Sequence, residues 1–242
     1  QVELQVVRSE DANNYWNGSA WVAVSTYVPA SGTTAWTVPQ PGPGWDDNKL
    51  VQLFVRARDG AGNLSGNTTT SFTWDSTPPA TAVADPDQSY ERALSTLSGT
   101  AGDGVSARRS GLYNVWVAIR QNPDGIGGWW DGSNFSVTDL TFAAVPGGTG
   151  WIAVSTTTDG GPWTLSGAQA PPFATGQKYQ LRVGAEDNAQ NFNTPVTSFT
   201  FTFDNTAPTA AISAPNAPQL NALSALSGTA ADAVGLAKVE LR

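Results

Sequence analysis

Aspartates near the predicted domain ends are the side chains of this 242-residue chain that are best placed to do chemistry. Calcium takes about six to eight oxygen ligands, which clustered carboxylates and turn carbonyls can supply. The candidate ligands are Asp59, Asp75, Asp103, Asp187, Asp204 and Asp232. An aspartate also caps a turn by accepting hydrogen bonds from its own backbone, and the sequence has no dense Asp-x-Asp-x-Asp run. Turn capping is therefore the alternative to a calcium site.

Paired carboxylates are a second group of candidate functional residues. Asp46 with Asp47, and Asp85 with Asp87, can in principle do acid–base work. Both pairs stand among residues typical of turns, and neither pair recurs in the chain. The chain has no His and no Cys, which excludes a Ser-His or Cys-His nucleophile and a zinc site built on imidazole or thiolate. We therefore expect the protein not to be an enzyme.

The ten tryptophans allow two interpretations. Exposed aromatic faces stack on sugars, which makes Trp151 and the other loop tryptophans candidate glycan ligands. Two pairs recur at matching hairpin positions, Trp16 with Trp130 and Trp36 with Trp163. Such recurrence is typical of cross-strand packing, so we favour core positions. Phe54 differs, because it lies on the predicted outward face and the related strand has Arg182 there; it is a candidate contact between domains or chains.

Alternating apolar and polar residues predict the elements that carry these side chains. In Phe199-Thr-Phe-Thr-Phe203 three aromatics share one face, and the segments 115–120 and 179–186 alternate in the same way. Half-buried antiparallel strands give this pattern. Since no stretch has a convincing 3.6-residue period, the predicted fold is all-β.

The chain also repeats itself. The segment Ala93-Leu-Ser-Thr-Leu-Ser-Gly-Thr-Ala101 returns 129 residues later as Ala222-Leu-Ser-Ala-Leu-Ser-Gly-Thr-Ala230. Asp75-Ser-Thr-Pro-Pro79 returns at the same offset as Asp204-Asn-Thr-Ala-Pro208. A shared period of this size indicates tandem copies of one domain.

The proline-containing linkers give the predicted domain boundaries. Residues 1–75 form a domain that lacks its first strands, residues 76–204 form a complete domain, and residues 205–242 are the first strands of a further domain. Two loops differ between copies. The second copy has 13 extra residues between Leu140 and Pro162, and the segment from Gly99 to Val115 is five residues longer than its counterpart from Gly228 to Val239.

The sequence resembles the bacterial Ig-like repeats of giant surface proteins and adhesins. The resemblance is carried by Leu97-Ser-Gly-Thr-Ala101 with Asp103, the strand Gly111–Val117, and Arg56–Asn63 with its partner Gly184–Asn191. It implies tandem Ig-like, Greek-key antiparallel β-sandwiches, an extracellular or cell-surface location, and calcium at domain junctions as the one cofactor candidate. Two positions depart from the pattern between copies: Tyr179 corresponds to Val51, and Gln190 corresponds to Gly62.

Net charge and hydropathy limit the classes of molecule that the protein is expected to bind. The net charge of −8 would repel a phosphate backbone, so we expect no nucleic-acid binding. No apolar run is long enough for a membrane span, so we expect no membrane insertion. The remaining partners are other copies or further repeats of the same chain, and surface glycans.

Two functions follow as hypotheses. The first is a structural segment or subunit of an extracellular filament or cell-surface stalk, with strand complementation between neighbours as one way of joining copies. Lys238-Val-Glu-Leu-Arg242 resembles Gln1-Val-Glu-Leu-Gln5, so both segments predict the same strand, and a segment of one continuous array is favoured over complementation. The alternative is an adhesin segment that binds carbohydrate through its Trp-rich loops.

Overall fold

The computed structural model describes residues 1–9, 14–39, 44–104, 106–138, 149–154 and 159–242. Its regular structure is β-strand apart from a single-turn 3-10 helix at Gly167–Gln169, and the all-β prediction is confirmed. Of the predicted 13-residue insertion, residues 140–148 and 155–158 lie outside the described residues. In the part of the chain that is described, no helix has the length and apolar character needed to cross a bilayer.

The chain divides into two compact units. The first comprises Gln1–Ala80, Gly102–Tyr113 and Glu186–Phe192, and the second comprises Thr81–Ala101, Asn114–Ala185 and Asn193–Arg242.

One sheet organises the first unit. Its strands are β1 (Val2–Arg8), β2 (Tyr15–Trp16), β3 (Trp21–Val22), β4 (Val28–Pro29), β5 (Ser31–Gly32), β6 (Trp36–Thr37), β7 (Lys49–Ala57) and β8 (Thr68–Trp74). The sheet order is β3-β2-β1-β7-β8, with β4 also on β1, and β5 and β6 form a separate hairpin. Leu4, Val6, Trp16 and Val51 form its buried core.

The remaining strands run from β9 to β20. They are β9 (Ala80–Asp85), β10 (Tyr90–Glu91), β11 (Thr96–Gly102), β12 (Leu112–Gln121), β13 (Trp129–Trp130), β14 (Phe135–Val137), β15 (Ile152–Val154), β16 (Pro162–Ser166), β17 (Gln177–Asp187), β18 (Thr197–Phe203), β19 (Thr209–Ala214) and β20 (Ser227–Ala231). They form a large sheet in the order β10-β18-β17-β12-β13-β14, a three-stranded sheet β16-β11-β9 and the hairpin β19-β20. β15 also pairs with β12.

The second unit has the core of a sandwich, because both of its larger sheets contribute fully buried side chains. Leu97, Trp163 and Leu165 come from the three-stranded sheet, and Tyr179 and Leu181 come from the large sheet; all five are 0% exposed. Burial of each such side chain contributes about 1.5–3 kcal/mol.

The predicted repeat is visible in the strand order. β14-β13-β12-β17-β18 of the large sheet corresponds to β3-β2-β1-β7-β8 of the first unit, strand for strand. The Tyr179/Val51 difference has a local consequence. The hydroxyl of Tyr179 accepts a hydrogen bond from the Ala174 backbone N–H at 2.9 Å, whereas Val51 fills its position with an apolar side chain that is 1% exposed.

Gly99 shows why the repeated Leu-Ser-Gly-Thr motif contains glycine. It lies opposite Trp163 in the pairing of β11 with β16, and the Trp163 indole donates a hydrogen bond to the Ala82 carbonyl at 3.2 Å. A Cβ at Gly99 would collide with that same carbonyl oxygen and with the Trp163 ring. The glycine therefore lets the buried tryptophan lie flat against two backbones.

We expect Gly99→Ala to lower the free energy of unfolding by about 2–3 kcal/mol, because the added methyl overpacks a site bounded by backbone. Gly66→Ala is the matched control, since a Cβ there meets nothing within 4 Å, and its effect should stay within about 0.5 kcal/mol. Urea unfolding of both variants measures the difference. Equal stabilities would contradict the packing role of Gly99.

Candidate metal centre

Three of the six candidate aspartates lie together in the first unit. Asp75 follows the end of β8, Asp103 follows the end of β11, and Asp187 is the last residue of β17. One carboxylate oxygen of each lies within 4.8 Å of the other two, and the residues are only 8%, 2% and 1% exposed. Like charges this close repel each other, so the cluster needs compensating donors or a cation.

Asp75 is held by donors from two segments. Its Oδ2 accepts the Ser110 backbone N–H at 2.7 Å, and its Oδ1 accepts the Thr77 N–H at 3.2 Å and Arg109 Nη1 at 3.1 Å. Burial raises the pKa of Asp75, but these hydrogen bonds outweigh it and hold the pKa below its ordinary value. Asp75 is therefore a carboxylate in the folded protein at neutral pH.

Asp103 faces the same short segment from the other side. Its Oδ2 accepts the Gly111 N–H at 2.8 Å and the Ser110 hydroxyl at 3.4 Å. Ser110 thus donates to Asp75 through its backbone and to Asp103 through its side chain. The two carboxylates are fixed relative to each other by a single residue.

Asp187 is fixed by its own turn. Its Oδ1 accepts the N–H groups of Ala189 and Asn191 at 2.9 and 2.8 Å, and its Oδ2 accepts the Asn191 side-chain amide at 2.8 Å. Asn191 Nδ2 also donates to the Asp75 carbonyl at 3.0 Å, which joins this turn to the end of β8.

The donor set is chemically suited to calcium. Hard divalent cations such as calcium are bound by carboxylate, carbonyl and water oxygens, and all three side chains of the cluster are carboxylates. A carboxylate has about four lone-pair sites, so an oxygen that accepts an N–H group can still coordinate a cation. The residues present therefore fit a calcium ion, with Asp75, Asp103 and Asp187 as the side-chain ligands.

The other three candidates serve turns in the described structure. Asp59 is exposed, and its contacts to Ala61 and Asn63 repeat those of Asp187 at the same three distances, 2.9, 2.8 and 2.8 Å. Asp204 accepts the Thr175 hydroxyl at 2.9 Å and the Thr206 N–H at 3.1 Å. Asp232 accepts the N–H groups of Val234 and Gly235 at 2.9 and 3.0 Å. Turn capping, the predicted alternative, describes the contacts of these three.

Asp46 and Asp47, the first of the two carboxylate pairs, make separate contacts. Asp46 pairs with Arg8, while Asp47 contacts Ser76, Thr77 and Arg109. Burial, and then the charge of Asp87, raises the pKa of Asp85. Arg109 is a partner of the cluster that the sequence did not reveal, and the longer loop that carries it was the available signal. Asp47 was predicted only as a possible acid–base pair with Asp46, not as a partner of the cluster.

The aromatic candidates are mostly covered. Trp151 is 8% exposed, and Trp16, Trp130 and Trp163 are at most 5% exposed. A sugar ring stacking on Trp151 would first need that ring to be uncovered. Phe54 is half-buried on β7, where it lies opposite Gln5 and Thr69 in the strand pairings.

Comparison with known proteins gave structural matches only. No family model and no curated protein match the chain. A structure of a 1.5-MDa bacterial ice-binding adhesin, concerned with its retention on the host cell surface, matches at 14% identity and a TM-score of 0.36, over 88% of this chain and 58% of that one. A tetra-tandem repeat from the extending region of a large adhesion protein matches at 16% identity and a TM-score of 0.33, over 94% and 48%. The chain thus spans about half the length of each.

The contacts of Asp75 and Asp47 give a prediction for acid stability. The folded pKa of both carboxyls lies below the ordinary value of 3.8, so each stabilises the fold above that pH and loses its contribution as the pH falls through the lowered folded pKa. We expect the wild type to have a higher free energy of unfolding than Asp75→Asn at pH 7 and at pH 5. The difference should shrink below about pH 4, because a protonated aspartate resembles asparagine. A difference that stays constant down to pH 2 would contradict this assignment.

Proposed function

We propose that this chain is a structural segment of an extracellular protein built from tandem Ig-like β-sandwiches, serving as a stalk or filament and having no catalytic activity. The observation that carries the proposal is that one chain contains the same sheet order twice, β3-β2-β1-β7-β8 and β14-β13-β12-β17-β18. Repeats of one domain give a protein that extends by addition of units and offers length rather than a reaction site.

The strand arrangement supports the Ig-like assignment. In the second unit β9, β11 and β16 form one sheet, while β18, β17 and β12 lie side by side in the other. An immunoglobulin-type sandwich divides its strands in this way, with the first, second and fifth strands opposite the third, sixth and seventh. The Pro-containing linkers after Asp75 and Asp204 would stiffen the connections between such domains.

Calcium is the proposed stiffening element. Asp75 begins a linker, whereas Asp103 and Asp187 belong to two loops distant from it in sequence. A cation shared by the three carboxylates would tie the start of the linker to both loops and remove the repulsion among them. Calcium supplies charge and coordination here, while Ser110 and Asn191 hold the carboxylates in place.

We expect calcium to raise the thermal stability of the chain, with a gain of about 2.7 kcal/mol at a hundredfold excess over Kd. Asp187→Asn should abolish that gain. Asp59→Asn is the matched control, because Asp59 makes the same turn contacts but lies outside the cluster; it should retain the full gain. Thermal unfolding in calcium and in EDTA measures both. An equal response of the two variants would reject the site.

Unmatched apolar surfaces support contacts with other copies or repeats. Leu97 is 0% exposed, but its repeat counterpart Leu226 is 61% exposed, and Ile212 of β19 is 72% exposed. Trp163 is 0% exposed, but its counterpart Trp36 is 39% exposed. In the second unit Trp163 packs on Gly99 and Ala82; the counterparts of those two residues, Gly228 and Ala211, lie in the β19-β20 hairpin. The hairpin of one copy is therefore a suitable cover for Trp36 of another, by strand complementation.

We expect the 242-residue chain to associate head to tail and to form filaments visible by negative-stain electron microscopy, without response to added sugars. Ile212→Asp should weaken association more than tenfold, because burial of that side chain is worth about 1.5–3 kcal/mol. Thr209→Asp adds the same charge on the opposite face of β19, because Thr209 is three residues from Ile212 in the regularly paired part of the strand, and it should leave association intact. Sedimentation velocity over a concentration series measures this. A monomeric wild type, or an equal effect of both variants, would reject complementation between copies.

A further inference from the structure

Arg109 occupies a bridging position beside the carboxylate cluster. Its Nη1 lies 2.8 Å from Asp47 Oδ2 and 3.1 Å from Asp75 Oδ1. The Arg109 side chain is 18% exposed, and those of Asp47 and Asp75 are 32% and 1% exposed. Burial opposes the positive charge, but the hydrogen bonds and attraction of both aspartates outweigh it and raise the pKa of Arg109. One guanidinium group therefore contacts two partly desolvated carboxylates and compensates part of their charge.

Asp47 in turn holds the linker. Its Oδ1 accepts the Ser76 N–H at 2.7 Å and the Ser76 hydroxyl at 3.1 Å, and its Oδ2 accepts the Thr77 hydroxyl at 2.8 Å. The first two linker residues are thus bound to Asp47 while Arg109 compensates its charge. Charge-assisted hydrogen bonds of this kind are stronger than neutral ones.

The next linker is built differently. Thr175 corresponds to Asp47, because the residues that follow them, Gly176 and Asn48, are alike. Both have positive φ, and both donate their N–H to the carbonyl of the last residue of the neighbouring strand. The uncharged Thr175 hydroxyl donates to Asp204 Oδ1 at 2.9 Å and accepts the Asn205 N–H at 3.1 Å. The loop that delivers Arg109 is five residues longer than its counterpart after Asp232. The ion pair of Arg109 with Asp47 therefore occurs at the first linker. At the second linker Thr175 replaces Asp47, and the corresponding loop is shorter.

The loop itself is anchored where it must present Arg109. The Ser106 hydroxyl donates to the Asn48 side-chain oxygen at 2.8 Å, and the Arg109 N–H donates to the Ser106 carbonyl at 3.2 Å. The Ser110 N–H that follows binds Asp75. The direction of the Arg109 side chain is thus fixed by contacts on both sides of it.

We propose that Arg109 is a positioning residue that acts as a tethered cation: it holds the linker at Ser76 and Thr77 in place without a bound metal ion. The linker after Asp204 has a neutral threonine in place of this ion pair. The two linkers consequently differ in order when divalent cations are absent. Only the comparison with the calcium-bound state rests on the proposed function.

Hydrogen exchange of single amides, measured by NMR in EDTA, tests the assignment. In Arg109→Gln we expect the Ser76 and Ser110 amides to exchange at least about tenfold faster than in the wild type, as loss of a charged hydrogen bond predicts. Lys178→Gln removes one positive charge from the exposed ion pair with Asp124 and should leave both amides unchanged. In the wild type the Asn205 amide should exchange faster than that of Ser76. Unchanged exchange in Arg109→Gln, or an equal effect of Lys178→Gln, would overturn the proposal.

Two further variants separate a charge effect from a packing defect. Arg109→Lys keeps the charge and should recover part of the protection at Ser76. Asp47→Thr copies the second linker, and should speed exchange at Ser76 while leaving Ser110 protected, because Asp75 still holds Ser110. Loss of protection at both amides in Asp47→Thr, or no recovery in Arg109→Lys, would reject the tethered-cation role.

Calcium added to Arg109→Gln gives an independent reading of the proposed function. If the cluster binds calcium, the metal ion should restore protection at Ser110, because it supplies the positive charge that the variant lacks. If calcium restores nothing while the EDTA result stands, the calcium site is rejected and the role of Arg109 is supported. The failures of the two proposals are therefore distinguishable.

Discussion

A β-sheet with one apolar face is stable only when a second layer covers that face, and this requirement organises the chain. In the second unit β9, β11 and β16 provide the cover, and Leu97 and Trp163 become fully buried. Within this covering sheet Trp163 lies over Gly99 and its indole reaches the Ala82 carbonyl, so Gly99 has no room for a side chain. The β19-β20 hairpin repeats the same inward residues, yet Ile212 and Leu226 are exposed. Under the proposed function, further copies or repeats would supply the layer that these residues lack.

The strand ends raise a different physical problem, because they bring acidic side chains together. Asp75, Asp103 and Asp187 are buried within 4.8 Å of each other, an arrangement that repulsion opposes. Backbone N–H groups of Ser110, Gly111 and Asn191 compensate part of the charge. Arg109 compensates a further part beside Asp75, and a divalent cation is suited to the rest. The first residues after β8, Ser76 and Thr77, are held by the hydrogen bonds of Asp47 within this balance of charges.

The repeats preserve contacts more strictly than residue types. The turn at Asp187 has Gln190 at a φ of 68° where the turn at Asp59 has Gly62 at 93°, and yet the three hydrogen bonds to each aspartate have the same lengths. A glutamine in the left-handed region is strained. The hydrogen bonds of the aspartate therefore specify this turn in the absence of glycine.

Much of the fold followed from local pattern, since alternation with a period of two depends only on neighbouring residues. The strands around Val115, Tyr179 and Phe199, the all-β class and the repeat of 129 residues were all readable from the sequence. The six aspartates were also identified as candidates, because they lie near the predicted domain ends.

The tertiary structure decided which of those aspartates meet. Asp75 and Asp187 are more than a hundred residues apart in sequence and lie at the ends of strands of different sheets, so only the tertiary structure brings their carboxylates together. Asp59 and Asp187 make the same local turn, so no local signal distinguishes the exposed one from the buried one. The ion pair of Arg109 with Asp47 was not predicted, because the two residues are 62 positions apart in sequence. The sequence by itself determined the strands, the repeat and the local turns; the tertiary structure decided the charge cluster and the arginine beside it, because their energies depend on distances through space.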